Sequence, residues 1–191
     1  LLKLKEIIST YNGIKPIDEP FFNIIISRCV IWEDKDVIDS IYSAYSLYNL
    51  KKSPISRRVY LKSLGSVEVS SEDILTAWLD LLKHNDLEGY TYIANADWAA
   101  LRDATVNSTF LHKKHSAPTV NVFPMDLLYC QIVDKFKDYC RDFGQLVRLK
   151  NIVKVVPRLY HILPLQDKLE LEVPKYENLQ PKRFSEDADY I

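Results

Sequence analysis

Apolar residues recur at helical spacing along most of the chain, and the polar breaks between them carry capping residues. Leu1, Leu4, Ile7, Ile8 and Tyr11 form a first stripe, with Gly13 placed where a helix commonly ends. Asp18 or Glu19 can cap the next run, with Pro20 tolerated in its first turn. Phe21, Phe22, Ile24, Ile25, Ile26 and Val30 make that run apolar nearly all round, which predicts a helix sandwiched between neighbours. Asn23 is its polar exception. The break EDKD (33–36) supplies a new cap, and Ile38, Ile41, Tyr42, Tyr45 and Tyr48 make the following stripe.

Ser53-Pro54 is a cap followed by a first-turn proline, and it opens a third helix through Ile55, Val59, Leu61 and Leu64 that Gly65 ends. Ser70-Ser71-Glu72-Asp73 opens a fourth, with Ile74, Trp78, Leu81 and Leu82 on one face and Gly89 closing it. Residues 90–106 predict a further helix carrying Trp98, Arg102 and Asp103. The stretch 107–123 has no period and contains Pro118, so it reads as a surface loop. Leu128, Ile132, Val133, Phe136 and Tyr139 restore the spacing. Gly144 separates them from a last helix that Pro157 ends. The remainder, 158–191, has three prolines and seven acids and reads as an extended acidic tail.

Asn23 and Arg58 lie 35 residues apart, and the acidic openers Asp36 and Asp73 lie 37 apart. Two helices in a period of about 35 residues is the signature of a tetratricopeptide- or pentatricopeptide-type solenoid. The expected architecture is an all-α, right-handed helical-repeat solenoid over 1–106, its first repeat truncated. A loop at 107–123, helices over 124–157 and the tail complete it.

Composition agrees and narrows little else. With 191 residues, 47% hydrophobic and 27% charged, the chain can bury a core and is not wholesale disordered. Four glycines against twelve tyrosines suit helices packed by aromatics. The net charge of −1 means that any nucleic-acid contact must come from local charge. Cys29, Cys130 and Cys140 are odd in number and lack metal-site spacing, so buried thiols in a reducing compartment are expected. No apolar run reaches the ~18 residues of a membrane span. A start at Leu1 instead of Met, with no leader pattern, points to a fragment or a processed product.

GIKP-ID followed by EPFFNIIIS resembles a junction between pentatricopeptide repeats, with one extra residue between Pro16 and the acid. IDEPFF, LKSLGS and YIANADWAALRDATV resemble the C-terminal half of a fungal mitochondrial family of pentatricopeptide-like RNA-binding proteins, named for a requirement in meiotic nuclear division. The resemblance spans roughly residues 1–106. It implies a mitochondrial matrix protein, peripheral to the inner membrane, that binds single-stranded RNA without catalysis and without a cofactor. The implied target is the A/U-rich dodecamer element at mRNA 3′ ends, which it would define and protect.

In such arrays one polar side chain near the start of the first helix and one at the repeat end meet each base. The alignment gives these places to Asn23 and Ser53. Arg58 falls at the Asn23 place of the next repeat and suits a phosphate or a stacked base. Lys51, Lys52, Arg57, Arg58 and Lys62 form an acid-free basic run suited to phosphates, although a solvated face is the commoner meaning of such a run. Asn95 and Arg102, seven apart and so on one helix face, are further RNA candidates. Arg102-Asp103 could equally be an internal ion pair. Arg148, Lys150, Lys154 and Arg158, within the acid-free segment 143–166, form a weaker basic set.

Other chemistry has less support. His112 and His115 lack two further ligands, so a basic loop is expected there and no metal. Trp32, Trp78 and Trp98 at helical spacing suit the core better than base stacking. Asp34 and Asp36 could be imagined as a nuclease pair, but two acids at a helix start are ordinary capping. The chief rival reading is a repeat scaffold that binds protein, at the mitochondrial ribosome or an inner-membrane complex; the ribosome and the degradation machinery are also candidate partners of the RNA-binding reading.

Overall fold

The structure, a computed structural model, describes residues 2–110, 124–140 and 176–180. Seven helices of ten or more residues organise them: α1 (Leu2–Ile14), α2 (Glu19–Cys29), α3 (Lys35–Leu47), α4 (Pro54–Leu64), α5 (Ser71–Leu87), α6 (Asn95–Ala104) and α7 (Pro124–Phe136). Short 3-10 turns follow α2 at Val30–Trp32 and α7 at Lys137–Tyr139. No strand occurs among the described residues; Ile93 and Cys140 make one isolated parallel bridge.

Local chemistry sets the helix starts. Asp18 accepts from the Phe21 N–H at 3.0 Å, and Asp34 accepts from the Asp36 N–H at 2.9 Å. Ser53 accepts from the Ile55 N–H at 3.1 Å, with Pro54 as the first residue of α4. Ser70 and Asp73 close a full capping box on α5. Asp97 bonds the Ala94 N–H at 3.1 Å, which is half a box, because alanine has no side-chain oxygen to return the bond.

Three expectations change. α1 runs through Gly13 to Ile14, because glycine adopts helical angles freely and the real obstacle is Pro16. Ile24 of α2 is 63% exposed, so that helix is covered on one side and not all round. Residues 90–94 are not helical: Gly89 turns the chain at φ +78°, and the Ile93 N–H is taken by the Tyr139 carbonyl at 2.8 Å. Most of the expected loop 107–123 and tail 158–191, the whole helix expected before Pro157, and the basic segment 143–166 lie outside the described residues. Thr109 and Phe110 already have helical geometry.

The chain is an all-α helical-repeat solenoid. α2 pairs with α3 and α4 with α5 as hairpins, while α4 also packs between α2 and α6. A row of first helices (α2, α4, α6) thus lies against a row of second helices. Their starts are 35 residues apart and then 41, the longer step accommodating an α5 of 17 residues against 13 in α3.

Two apolar cores meet at α4. Phe22, Ile26, Ile38, Ile41 and Tyr45 centre the first; Leu61, Trp78, Leu81, Trp98 and Tyr129 centre the second. Tyr60 and Val69 pack against both. Each such side chain contributes about 1.5–3 kcal/mol by leaving water.

Gly65, the C-cap of α4, sits against α6 so closely that a Cβ would meet the Asp103 carbonyl oxygen at 2.1 Å. Its own carbonyl accepts from Ser108 Oγ at 2.7 Å and from the Phe110 N–H at 3.2 Å. The segment Tyr176–Gln180 returns to α5: Tyr176 O–H donates to the Leu79 carbonyl at 3.2 Å, the Asn178 N–H donates to Asp86 at 2.8 Å, and Leu179 is buried.

Candidate nucleic-acid interface

The candidate residues fall on the row of first helices. Asn23 is half-buried in α2, and Tyr45 of α3 donates its O–H to Asn23 Oδ1 at 2.7 Å. Glu19, at the start of α2, accepts from the Ser53 N–H at 3.1 Å and from the hydroxyls of Ser53 and Ser56. Burial raises the Glu19 pKa, but the bonds from Ser53 and Ser56 outweigh it and leave it below the ordinary value. Ser53 therefore has two structural tasks, capping α4 and holding α2 to it.

The basic run is acid-free along the chain but not in space. Arg57 Nε lies 3.0 Å from Asp80 of α5, off the N–H axis, while its Nη1 donates to the Lys52 carbonyl. Arg58 Nε donates to Asp97 Oδ1 at 2.5 Å. Asp97 is wholly buried and also accepts from Asn85 Nδ2 at 3.1 Å. Lys62 Nζ is 3.0 Å from Asp103 of α6 and stays 66% exposed. So Asp103 pairs across helices with Lys62 and not with its neighbour Arg102. Lys52 lies over the Tyr42 ring at 4.0 Å, and its pKa is lowered by burial first and by Arg57 second.

Arg102 differs from these cations. It has no carboxylate partner among the described residues, and its Nη1 is buried without an acceptor. Burial raises the pKa of Tyr129 of α7, with the charge of Arg102 opposing, and the buried Tyr129 hydroxyl also has no partner among the described residues. Asn95, in the first turn of α6, is exposed at the surface. The structure therefore joins Ser53 to Glu19, Arg58 to Asp97, Lys62 to Asp103 and Asn23 to Tyr45.

Sequence reasoning missed Glu19 and Asp97 as the organisers of these contacts, and Tyr45 as the partner of Asn23. For Asp97 one local signal existed: an acid three residues after the N-cap Ala94, beside Trp98.

A cleft of about 450 Å³ opens between α3, α4 and α5, lined by Tyr42, Tyr60, Glu72, Asp73 and Asp80. Tyr42 and Tyr60 stack at 4.0 Å, and the acids repel a phosphate chain. Asp34, imagined as half of a nuclease pair, caps α3 through the Asp36 and Val37 N–H groups. Trp78 and Trp98 are core residues, 0% and 1% exposed, while Trp32 is 52% exposed. His112 and His115 lie outside the described residues. Among those described, no His, Cys, Asp and Glu cluster fits a metal, and no helix is long and apolar enough to cross a membrane.

Two family descriptions match the chain: RMD9 C-terminal domain over residues 87–185 and RMD9 middle domain over residues 1–51. The mitochondrial RNA-binding protein RMD9 of Eremothecium gossypii is 38% identical over 225 residues, covering 94% of this chain and 34% of its own. Its Kluyveromyces lactis counterpart is 47% identical over 193 residues, covering 79% and 29%. A solved structure of yeast Rmd9p in complex with a 16-nucleotide target RNA matches 84% of this chain and 32% of that one, at TM-score 0.70 and 41% identity. The chain thus spans about a third of the length of these relatives.

Proposed function

The chain belongs to the RMD9 family, and from that premise we propose that it is a module that binds single-stranded RNA in mitochondria. The observation that carries this reading is the likeness, over most of the chain, to a protein solved with its target RNA. The RNA lies along the row α2, α4 and α6, away from the acidic cleft. Asn23 reads a base edge, and Arg102, the candidate cation with no carboxylate partner among the described residues, holds a phosphate. Lys62, exposed at the end of its ion pair with Asp103, adds a second phosphate contact, and Asn95 a polar one. Arg57, Arg58 and Ser53 serve chiefly to fix the helices that carry these groups.

The target is an A/U-rich dodecamer at the 3′ end of mitochondrial mRNA. Occupying that end blocks exonucleases, so the role is protection without catalysis, in the matrix and peripheral to the inner membrane. The test is direct binding of purified chain to the dodecamer and to a scrambled RNA across a salt series. The expected result is preference for the dodecamer, affinity falling with salt, and a shallower salt slope for Arg102→Gln. Equal binding to both RNAs sinks the sequence preference. Salt-independent binding sinks the phosphate contacts.

A further inference from the structure

An asparagine amide has two unlike edges, an oxygen that accepts and a nitrogen that donates, and rotation about its last bond exchanges them. A side chain free to rotate offers either edge to a base and so discriminates weakly between bases. Asn23 is not free in this way. The Tyr45 hydroxyl approaches one edge of its amide at 2.7 Å from the row of second helices. Tyr45 is wholly buried, and its ring is held by Phe22 at 4.9 Å and Tyr42 at 5.7 Å. The ring therefore cannot follow the amide if the amide turns.

Burial pushes the Tyr45 pKa up to about 12, with the contact to Ser56 opposing and the charge of Glu19 adding, so the phenol keeps its proton. The Ser56 hydroxyl gives its own proton to Glu19. The Tyr45 hydroxyl donates to Asn23 Oδ1 at 2.7 Å. Asn23 Nδ2 is left on the far edge, half-exposed, with no acceptor among the described residues.

We propose that Tyr45 is a positioning residue that locks the Asn23 amide with its NH2 outward, so that α2 presents a donor to the bound base and selects a base that offers an acceptor there. This rests on the reading of Asn23 as a base-contacting residue. A chain of contacts supports the lock from below: Ser53 and Ser56 fasten Glu19, and with it the start of α2, to α4. The helix that carries Asn23 is thus fixed at the turn immediately before it.

The experiment varies one base at a time along the single-stranded A/U-rich dodecamer and measures the binding ratio at each place. Asn23→Ala identifies the place that Asn23 reads, as the one where the ratio flattens. At that place Tyr45→Phe, which keeps the ring and removes only the hydroxyl, is expected to reduce the ratio about three- to tenfold, with affinity for the best RNA changed less. Asn23→Asp, which turns an acceptor outward, is expected to reverse the preference toward a base with a donor. Where that base is a uracil, replacing its carbonyl oxygen by sulfur, a poorer acceptor, weakens binding to the wild-type chain and not to Asn23→Ala.

The outcomes separate. If Asn23→Ala alters no base ratio at any place, Asn23 does not read a base, and both readings fall. If Asn23→Ala flattens a ratio that Tyr45→Phe leaves intact, base reading stands and the positioning role is overturned. A lower melting temperature for Tyr45→Phe with unchanged base ratios likewise reduces the hydroxyl to a packing contact.

Discussion

Arg58 donates to Asp97 at 2.5 Å across the α4–α6 contact, and the carboxylate it meets is completely removed from solvent. Asn85 Nδ2 and the Ala94 N–H complete the coordination of that carboxylate. The pair fixes the stacking of two first helices, because either charge alone would be stranded in a medium that solvates it poorly.

Arg58→Met tests this directly. It keeps the stem that packs between the helices and leaves Asp97 with two neutral donors. Unfolding in urea should show a loss of about 3 kcal/mol, at the lower end for breaking a buried pair, since those donors remain. A loss below about 1 kcal/mol together with a large fall in RNA affinity would instead make Arg58 a phosphate contact.

Gly65→Ala should be disruptive out of proportion to one methyl group. The added carbon would meet the Asp103 carbonyl oxygen and, at 2.9 Å, the Ala104 Cα; both are backbone atoms and cannot rotate away. α4 and α6 must part, at about 1–3 kcal/mol or more, and the bonds from Ser108 and Phe110 to the Gly65 carbonyl weaken with them. A thermal melt reads the effect, and an unchanged midpoint would contradict the close approach.

Glu19 gives the fold an acid sensitivity with a definite sign. Its pKa is lower when folded than the ordinary 4.5, so its contribution is present above that value and is lost as pH falls through the lower folded one. Melting temperature should therefore drop as pH is lowered from about 4.5. Glu19→Gln should be less stable at neutral pH and show a shallower drop in that window. Parallel curves for the two proteins would show that the Ser53 and Ser56 bonds do not favour the ionised form.

Cys29, Cys130 and Cys140 are all buried and unbridged, and burial raises the Cys29 thiol pKa. A thiol reagent should leave all three essentially unmodified in the native protein and titrate all three in denaturant. Fast labelling of one of them under native conditions would reveal local opening around it.

Helices and caps were legible in the sequence because both are written in short-range chemistry. Asp18, Ser53 and Ser70 act on N–H groups within three residues, and the stripes of apolar residues name the buried faces. The repeat was legible as well, since Asn23 and Arg58 sit at matching places in stacked helices. The state of the charged groups was not. Arg58 and Asp97 are 39 residues apart, and Glu19 and Ser53 are 34 apart. Such pairs exist only once the stacking register is set, so a basic run along the chain became a set of ion pairs in the fold. Asn23 shows the same limit. Its polarity was visible at once, but its orientation depends on Tyr45, a residue from another helix.

The return of Tyr176–Gln180 to α5 changes how such an array unfolds. In a stack where each unit touches only its neighbours, the end unit frays at little cost and stability adds up piece by piece. Here Tyr176 bonds Leu79 across 97 residues of chain, and Asn178 bonds Asp86 across 92. The later half is thereby closed into a loop, so α5 cannot loosen until that returning segment lets go. Breaking the loop costs contacts at both ends at once, which makes the second core melt as a single cooperative unit and not by peeling from its end.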